Sequence, residues 1–383
     1  MLLKLLQTFF VLIGLLFFTG IVGLYVLLMG GIHFRGLLVV VPLCLFVLFI
    51  CIIFNWLSTK KRKIWLAGIL GISLCLALIE PLQHYYKISI PTVDAEIDVS
   101  AYQPFTESNQ VMKLDTKASL QLVEPLPRLD GATAMYPLYA AFVEATYPKG
   151  DYPYYDSRVM VSRTPEAYQN LILGDVDLIF VAAPSESQKR QAEMQGLTFH
   201  MIPIGREAFV FFVNHKNTVE NLTLGQVQQI YAGQITNWQE VGGKNDVIRA
   251  FQRPADSGSQ TALEKIMGDT PIMEAPAENV ATGMGGIIHE VSQYRNYKNA
   301  IGYTFRFYST EMVNNKDIKL LSIDGIEPTR ENIRNGTYPL VSEFYAVTAG
   351  TDNSNVKKFI DWIVSEEGQA LVEKVGYVSV EIN

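Results

Sequence analysis

The chain has 383 residues, enough for two compact domains and an appendage, and its 31 basic and 38 acidic residues give a net charge of −7. The first 90 residues hold seven basic residues and one acidic residue, which leaves 24 basic and 37 acidic residues for the rest. An acidic region repels polyanions, so nucleic acid is excluded as an expected partner.

Three long apolar runs occupy roughly residues 5–29, 37–57 and 64–79. A helix of about 20 apolar residues spans a bilayer, so residues 1–83 are predicted to be a three-helix transmembrane anchor. The alternative is a signal peptide followed by buried helices. The basic cluster at residues 60–63 is expected on the cytoplasmic side, which places the N-terminus in the cytoplasm and everything after Glu80 outside the cell membrane.

Residues 84–120 lack a regular apolar period and contain Pro91 and Pro104. This pattern predicts a spacer between the anchor and the remaining domain, residues 121–383. A flexible coil of ~40 residues would span about 35 Å.

Strand-like and helix-like segments alternate after residue 121, which predicts an α/β fold with open sheets. Helices are predicted at residues 137–145, 166–173 and 224–231. Strands are predicted at residues 158–161, 176–181 and 208–214. In such folds ligands bind beyond the carboxyl ends of strands, often at helix N-termini.

Two loop-to-helix junctions have the composition of an anion site. Residues 130–139 combine glycine, small residues and a threonine, and residues 253–261 combine an arginine, a glycine and two serines. Oxyanions need many donors, which free amides at helix starts, hydroxyl groups and guanidinium groups supply. The alternative is that Asp130 or Ser257 simply caps a helix.

Other polar residues point to no chemistry of their own. Each of Arg158, Arg163 and Arg206 either lines a cleft or is a surface charge. We favour a surface charge for each of them. The five histidines lack metal-ligand spacing, and all three cysteines lie in the apolar runs. Ser257 lacks the surroundings of a nucleophilic serine. We therefore expect no metal, no cofactor and no enzymatic activity.

Several ordered motifs resemble those of the phosphate-binding receptors of ABC importers. The resemblance runs from about residue 130 to residue 377, about two thirds of the chain, and leaves out the apolar N-terminal segment. Each motif is weak by itself, and together they are specific to the family. They include Gln229-Ile-Tyr-Ala-Gly-Gln-Ile-Thr-Asn-Trp238, Val241-Gly-Gly, Arg253 with Ser257-Gly-Ser, Ala300-Ile-Gly-Tyr303, Asp324-Gly-Ile-Glu-Pro-Thr-Arg-Glu-Asn-Ile333 and Glu366-Glu-Gly-Gln369.

The resemblance implies a two-lobed type II periplasmic-binding-protein fold. One lobe would combine residues 122–205 with 338–383, and the other would comprise residues 206–337. The resemblance also implies a set of ligand-binding residues: Thr133, Ala134, Thr164, Arg253, Ser257, Gly258 and Ser259.

One position departs from the family pattern. Members of this family carry, just before an Ala-Pro pair, an aspartate that accepts the proton of hydrogen phosphate and rejects sulfate; here Ala182 occupies that position. The implied function is a membrane-anchored receptor for phosphate or a similar oxyanion, such as sulfate or a phosphorylated compound, that serves an ABC permease. The alternative is a membrane sensor or scaffold that keeps the binding fold without transport.

Overall fold

A computed structural model describes residues 1–28, 34–90, 98–276, 297–313 and 316–381. The chain divides into two compact units, Met1–Pro91 and Thr92–Asn383.

The first unit is helical. Its helices are α1 (Leu2–Leu28), α2 (Arg35–Ile53), α3 (Lys60–Ala77) and α4 (Ile79–Ser89). Among the described residues, three stretches are long and apolar enough to cross a membrane: Leu2–Val26, Arg35–Ile53 and Lys60–Tyr86. The three predicted apolar helices are therefore present. The third is longer than predicted, since α4 continues it through residues that were assigned to the spacer.

The second unit contains a seven-stranded mixed sheet. Its strands are β1 (Leu129–Gly131), β2 (Leu178–Val181), β3 (His200–Asn214), β5 (Arg249–Ala250), β6 (Ala300–Phe305), β7 (Ile318–Leu320) and β9 (Val341–Thr348). The order is β1-β2-β9-β3-β6-β5, and β7 also pairs with β3. A separate parallel pair joins β4 (Asn221–Leu222) to β8 (Ser322–Ile323).

Eight α-helices accompany these strands in the described residues of the second unit. They are α5 (Tyr136–Thr146), α6 (Thr164–Leu173), α7 (Glu186–Met194), α8 (Leu224–Tyr231), α9 (Gly258–Met267), α10 (Arg330–Arg334), α11 (Ser354–Ile363) and α12 (Glu366–Val375). The predicted helices correspond to α5, α6 and α8. Of the predicted strands, residues 158–161 form only an isolated bridge from Val159 to Leu129.

The longest strand, β3, runs through the middle of the sheet. Residues 200–208 pair antiparallel with β9, and residues 209–213 pair antiparallel with β6. The register shifts between Pro203 and Gly205. One continuous strand therefore carries both the part of the sheet that holds β1 and β2 and the part that holds β5 and β6. The lobe boundaries that the resemblance implies stay a prediction.

Residues 98–120 were predicted to be a flexible spacer, and this is wrong for them. Val111 and Ala118 are buried in the main core of the second unit. Glu367 of α12 accepts hydrogen bonds from the Ser119 amide (3.0 Å) and hydroxyl (2.6 Å). Isolated apolar residues such as Val111 carry no periodic signal, so no local pattern predicts that this segment packs on the domain. Residues 91–97 of the predicted spacer lie outside the described residues.

Candidate functional site

The first junction leads from β1 into a 3₁₀ turn, Thr133–Met135, and then into α5. A Cβ atom on Gly131 would lie 2.6 Å from the Phe180 carbonyl oxygen and 2.9 Å from the Tyr139 ring, so only glycine fits there. No side chain caps the 3₁₀ turn or α5. Thr133 is buried at this junction.

Asp130 ties the first junction to a second one. Its carboxylate accepts hydrogen bonds from the amides of Gly131 (2.7 Å) and Ser162 (2.8 Å) and from the Asn170 side chain (2.8 Å). Burial raises the pKa of Asp130, and these hydrogen bonds oppose the shift. The alternative that Asp130 caps a helix is wrong, because Asp130 instead holds the start of α6 beside the start of α5.

The second junction is the start of α6. Thr164 is its first residue and is buried, and Pro165 suits the first turn because the missing N–H there has no helical partner. The preceding residue, Arg163, has φ = 75° and provides no side-chain cap. Glu166 lies in the same first turn.

The third junction is the start of α9. The Ser257 hydroxyl accepts a hydrogen bond from the Gln260 amide (3.3 Å), so Ser257 does cap this helix, as one of the two interpretations predicted. A hydroxyl that accepts one bond still has its own proton to donate. The Arg253 amide donates to Gln260 (3.1 Å) and to the Tyr303 hydroxyl (2.9 Å), which fixes the loop ahead of the helix.

All three junctions line one cavity of about 230 Å³. All seven residues implied by the resemblance are in its wall: Thr133, Ala134, Thr164, Arg253, Ser257, Gly258 and Ser259. Ala182 lines it as well. The two sequence regions that were singled out for their donors, 120 residues apart in the chain, therefore meet in space.

The walls of this cavity approach each other closely. A Cβ atom on Gly258 would lie 3.2 Å from the Thr164 hydroxyl oxygen and 3.3 Å from the Ala182 Cβ. Nearby, the Ser185 hydroxyl donates to the Asp256 carboxylate (2.6 Å), and the Gln188 side chain donates to the Asp256 carbonyl (3.1 Å). The loop before α9 is thus bonded to the start of α7.

Sequence reasoning missed several residues of the wall. Arg163 lines the cavity, so the interpretation that favoured a surface charge is wrong for it. Glu166, Phe305, Tyr308 and Phe344 also line the cavity and had not been identified as site residues. The signal for Glu166 was its place two residues after Thr164, within one helical turn of a donor-rich junction.

The chemistry of this wall suits a small anion. Two guanidinium groups, six hydroxyl-bearing residues and two uncapped helix starts supply donors, and the positive ends of the helix dipoles favour negative charge. Within the described parts of the chain, no group of three or more His, Cys, Asp or Glu residues is placed to hold a metal ion.

Comparisons with known proteins agree with this architecture. The PBP superfamily domain matches residues 125–367. The phosphate-binding protein PstS of Bacillus subtilis is 26% identical over 253 residues, which cover 66% of this chain and 80% of the relative. The PstS of Staphylococcus aureus strain RF122 is 23% identical over 259 residues, covering 65% and 77% of the two chains.

A solved structure is similar as well. It is described as a phosphate ABC transporter substrate-binding protein from Clostridium perfringens with bound phosphate, and it is 26% identical with a TM-score of 0.50. The match covers 66% of this chain and 98% of that one. With a domain match over more than half of its length, this chain belongs to the PBP superfamily.

Proposed function

We propose that this protein is a membrane-anchored extracytoplasmic receptor that binds phosphate or a similar oxyanion and delivers it to an ABC importer. The observation that carries the proposal is the convergence of Thr133, Thr164, Arg253 and Ser257 on one cavity. The similar PstS proteins are phosphate-binding proteins, which supports the choice of ligand.

Binding would follow from the donors in the cavity wall. The oxyanion would accept hydrogen bonds from the amides of Ala134, Gly258 and Ser259, from the hydroxyl groups, and from the Arg253 guanidinium. Charge-assisted bonds of this kind are about twice as strong as neutral ones, and they strengthen further where water is excluded. The proposed role is binding and not catalysis, which the similarity to the phosphate-binding PstS proteins supports.

The apolar helices would anchor the receptor in the cell membrane. The basic residues at 60–63 form the first turn of α3, and such clusters remain on the cytoplasmic side. This arrangement gives a multi-pass protein with a cytoplasmic N-terminus and an extracytoplasmic binding unit.

Isothermal titration of the full chain in detergent micelles with phosphate and with sulfate tests the proposal. We expect one ligand per chain, and we expect Arg253→Ala to weaken binding about 10- to 100-fold, because a hydrogen bond to a charged group contributes about 1.5–3 kcal/mol. Arg334→Ala is the matched control, since Arg334 is exposed and pairs with Glu373 at 2.8 Å. If the wild-type chain bound neither anion, the proposal would be wrong.

A second candidate is a membrane sensor or scaffold that keeps the binding domain without transport. The observation that favours it is that the part of the chain described by the structure holds three candidate spans, where one would be enough for a tether. Affinity capture of the intact protein from its membrane separates the two functions. Recovery of permease subunits supports transport, and recovery of a kinase or an envelope enzyme supports sensing.

A further inference from the structure

The wall of the cavity has two chemically different parts. The donors come from the starts of α5, α6 and α9. The remainder of the wall includes aromatic side chains from a different place in the fold: Phe305 ends β6, and Tyr308 begins the short π-helix Tyr308–Val313. The site described so far gives this aromatic part no role.

The aromatic part is held in place by neighbouring rings. The Phe305 ring packs edge-on against Phe344, with 4.8 Å between ring centroids, and against Phe209 at 5.7 Å. Phe344 is only 1% exposed, so it supports Phe305 from behind. Phe305 and Tyr308 keep 7% and 8% of their surface exposed, which leaves part of each side chain available for contact. An apolar surface is therefore already formed beside the donors.

The cavity is large for an inorganic oxyanion, although its walls already touch. The Ser185 hydroxyl bonds to the Asp256 carboxylate at 2.6 Å, and a Cβ atom on Gly258 would lie 3.3 Å from the Ala182 Cβ. These contacts leave the walls little room to approach further. The volume of about 230 Å³ exceeds the about 150 Å³ of a protein cavity that holds benzene. A hydrocarbon ring and a tetrahedral oxyanion therefore fit together.

Water is a poor alternative occupant for the aromatic part. A buried water molecule needs two to four polar partners, and apolar cavities stay dry. The side chains of Phe305 and Ala182 offer no such partner. An apolar group that displaces poorly bonded water gains affinity. A phosphate or sulfate ion alone would leave this gain unused.

We propose that the ligand is an organic phosphate or phosphonate: its tetrahedral oxyanion binds at the three helix starts, and its one small apolar substituent packs on Phe305 and Tyr308. The inference rests on the proposed function and specifies its ligand class. A phosphate monoester and a phosphonate share the phosphoryl group with a single organic substituent. Both keep the negative charge that the Arg253 guanidinium and the helix dipoles favour.

Calorimetric titration of the full chain in detergent with phenylphosphonate, methylphosphonate and inorganic phosphate provides the test. The first two share one oxyanion and differ only in the substituent. We expect phenylphosphonate to bind about 10- to 100-fold more tightly than either of the others, because burial of the ring is favourable. Phenyl phosphate, which adds a bridging oxygen, shows by its affinity relative to phenylphosphonate whether the site prefers the ester or the phosphonate.

Three variants locate the ring in the cavity. Phe305→Leu and Tyr308→Leu keep an apolar side chain but remove the aromatic ring, so each should reduce the preference for phenylphosphonate over methylphosphonate about 3- to 10-fold. Phe307→Leu is the matched control, since Phe307 lies between them in sequence, is 4% exposed and stacks on Tyr377 outside the cavity. It should leave the preference unchanged. The ratio of two affinities cancels a general loosening of the site.

The outcomes separate the two proposals. If the wild type binds none of the anions, the proposed function itself is wrong. If phosphate binds at least as tightly as phenylphosphonate, the organic ligand is overturned and the anion receptor stands. An unchanged preference in both Phe305→Leu and Tyr308→Leu would also overturn the inference, because the ring would then bind elsewhere. Binding of phenylphosphonate that Arg253→Ala leaves intact would do the same, since the oxyanion would not lie at the donors.

Discussion

Asp256 bonds the two walls of the cavity together, and removing its carboxylate should shorten the time for which a ligand stays bound. The bond from the Ser185 hydroxyl to Asp256 is 2.6 Å long and involves a charged acceptor. Asp256 has φ = 62°, so glycine can replace it without backbone strain. Asp256→Gly therefore removes the carboxylate and keeps the loop conformation, including the bond from Gln188 to the main chain.

The magnitude follows from the type of bond. A hydrogen bond to a charged group contributes about 1.5–3 kcal/mol, and partial exposure of Asp256 favours the lower end. We expect Asp256→Gly to raise the dissociation constant for phosphate about 10-fold, mainly through faster dissociation. Asp256→Asn keeps an acceptor but loses the charge, so it should cost about half of that free energy, roughly a 3-fold effect.

Stopped-flow dissociation and calorimetry measure these effects. Asp324→Gly is the matched control, since Asp324 also has a positive φ (51°) and its carboxylate accepts from the Leu224 amide, outside the cavity. It should change the stability of the protein and leave phosphate binding intact. Equal dissociation rates for wild type and Asp256→Gly would refute the reasoning, because the contact would then play no part in retaining the ligand.

Three further predictions concern the fold. Burial raises the pKa of Glu207 to about 7, so the folded state holds a proton that the unfolded chain releases. The stability that this bound proton contributes is fully present below pH ~4.5 and is lost as the pH rises through about 7. The free energy of unfolding, measured by thermal unfolding, should be lower at pH 8 than at pH 5 by up to about 3 kcal/mol in the wild type. Glu207→Gln should abolish this difference, and an equal difference in the variant would contradict the prediction. Gly131→Ala should destabilise the protein by about 1–3 kcal/mol in denaturant melts, because its Cβ would meet the Phe180 carbonyl, whereas Gly225→Ala, whose nearest neighbour is 4.0 Å away, should be tolerated. Glu367→Ala should free the segment around Ser119, so that limited proteolysis cuts there sooner than in wild type; cleavage at the wild-type rate would show that Val111 and Ala118 hold the segment without this bond.

The sequence predicted the elements whose signal is local. Helix α8 was predicted at its observed bounds, and Gly174 ends α6 with φ = 75°, as a glycine stop signal implies. The donors at Thr133 and Ser257 were identified because small and hydroxyl residues next to a helix start are a short-range pattern. Each of these signals needs only about ten consecutive residues.

The remaining features depend on contacts between distant residues. Arg163 was interpreted as a surface charge, because its place in the cavity wall depends on the segments after β2 and at the start of α9, which are distant in sequence. Aspartate is a common helix cap, so Asp130 was a candidate cap. Only its contacts with Ser162 and Asn170 show that it joins the junction before α5 to the junction before α6. The packing of residues 98–120 depends on Glu367, almost 250 positions away, which no local pattern can indicate.

The continuity of β3 constrains how the binding unit can deform. Its hydrogen bonds pass from β9 to β6 without an intervening loop, and the register shift between Pro203 and Gly205 is the irregularity in its pairing with β9. A shared strand of this kind resists sliding and separation, because either would break a row of backbone bonds, but it can yield in torsion. Any motion that admits a ligand would then be a twist about this strand. Such a twist would strain the backbone hydrogen bonds of β3 to β9 and β6, and this strain would favour the return to the observed conformation.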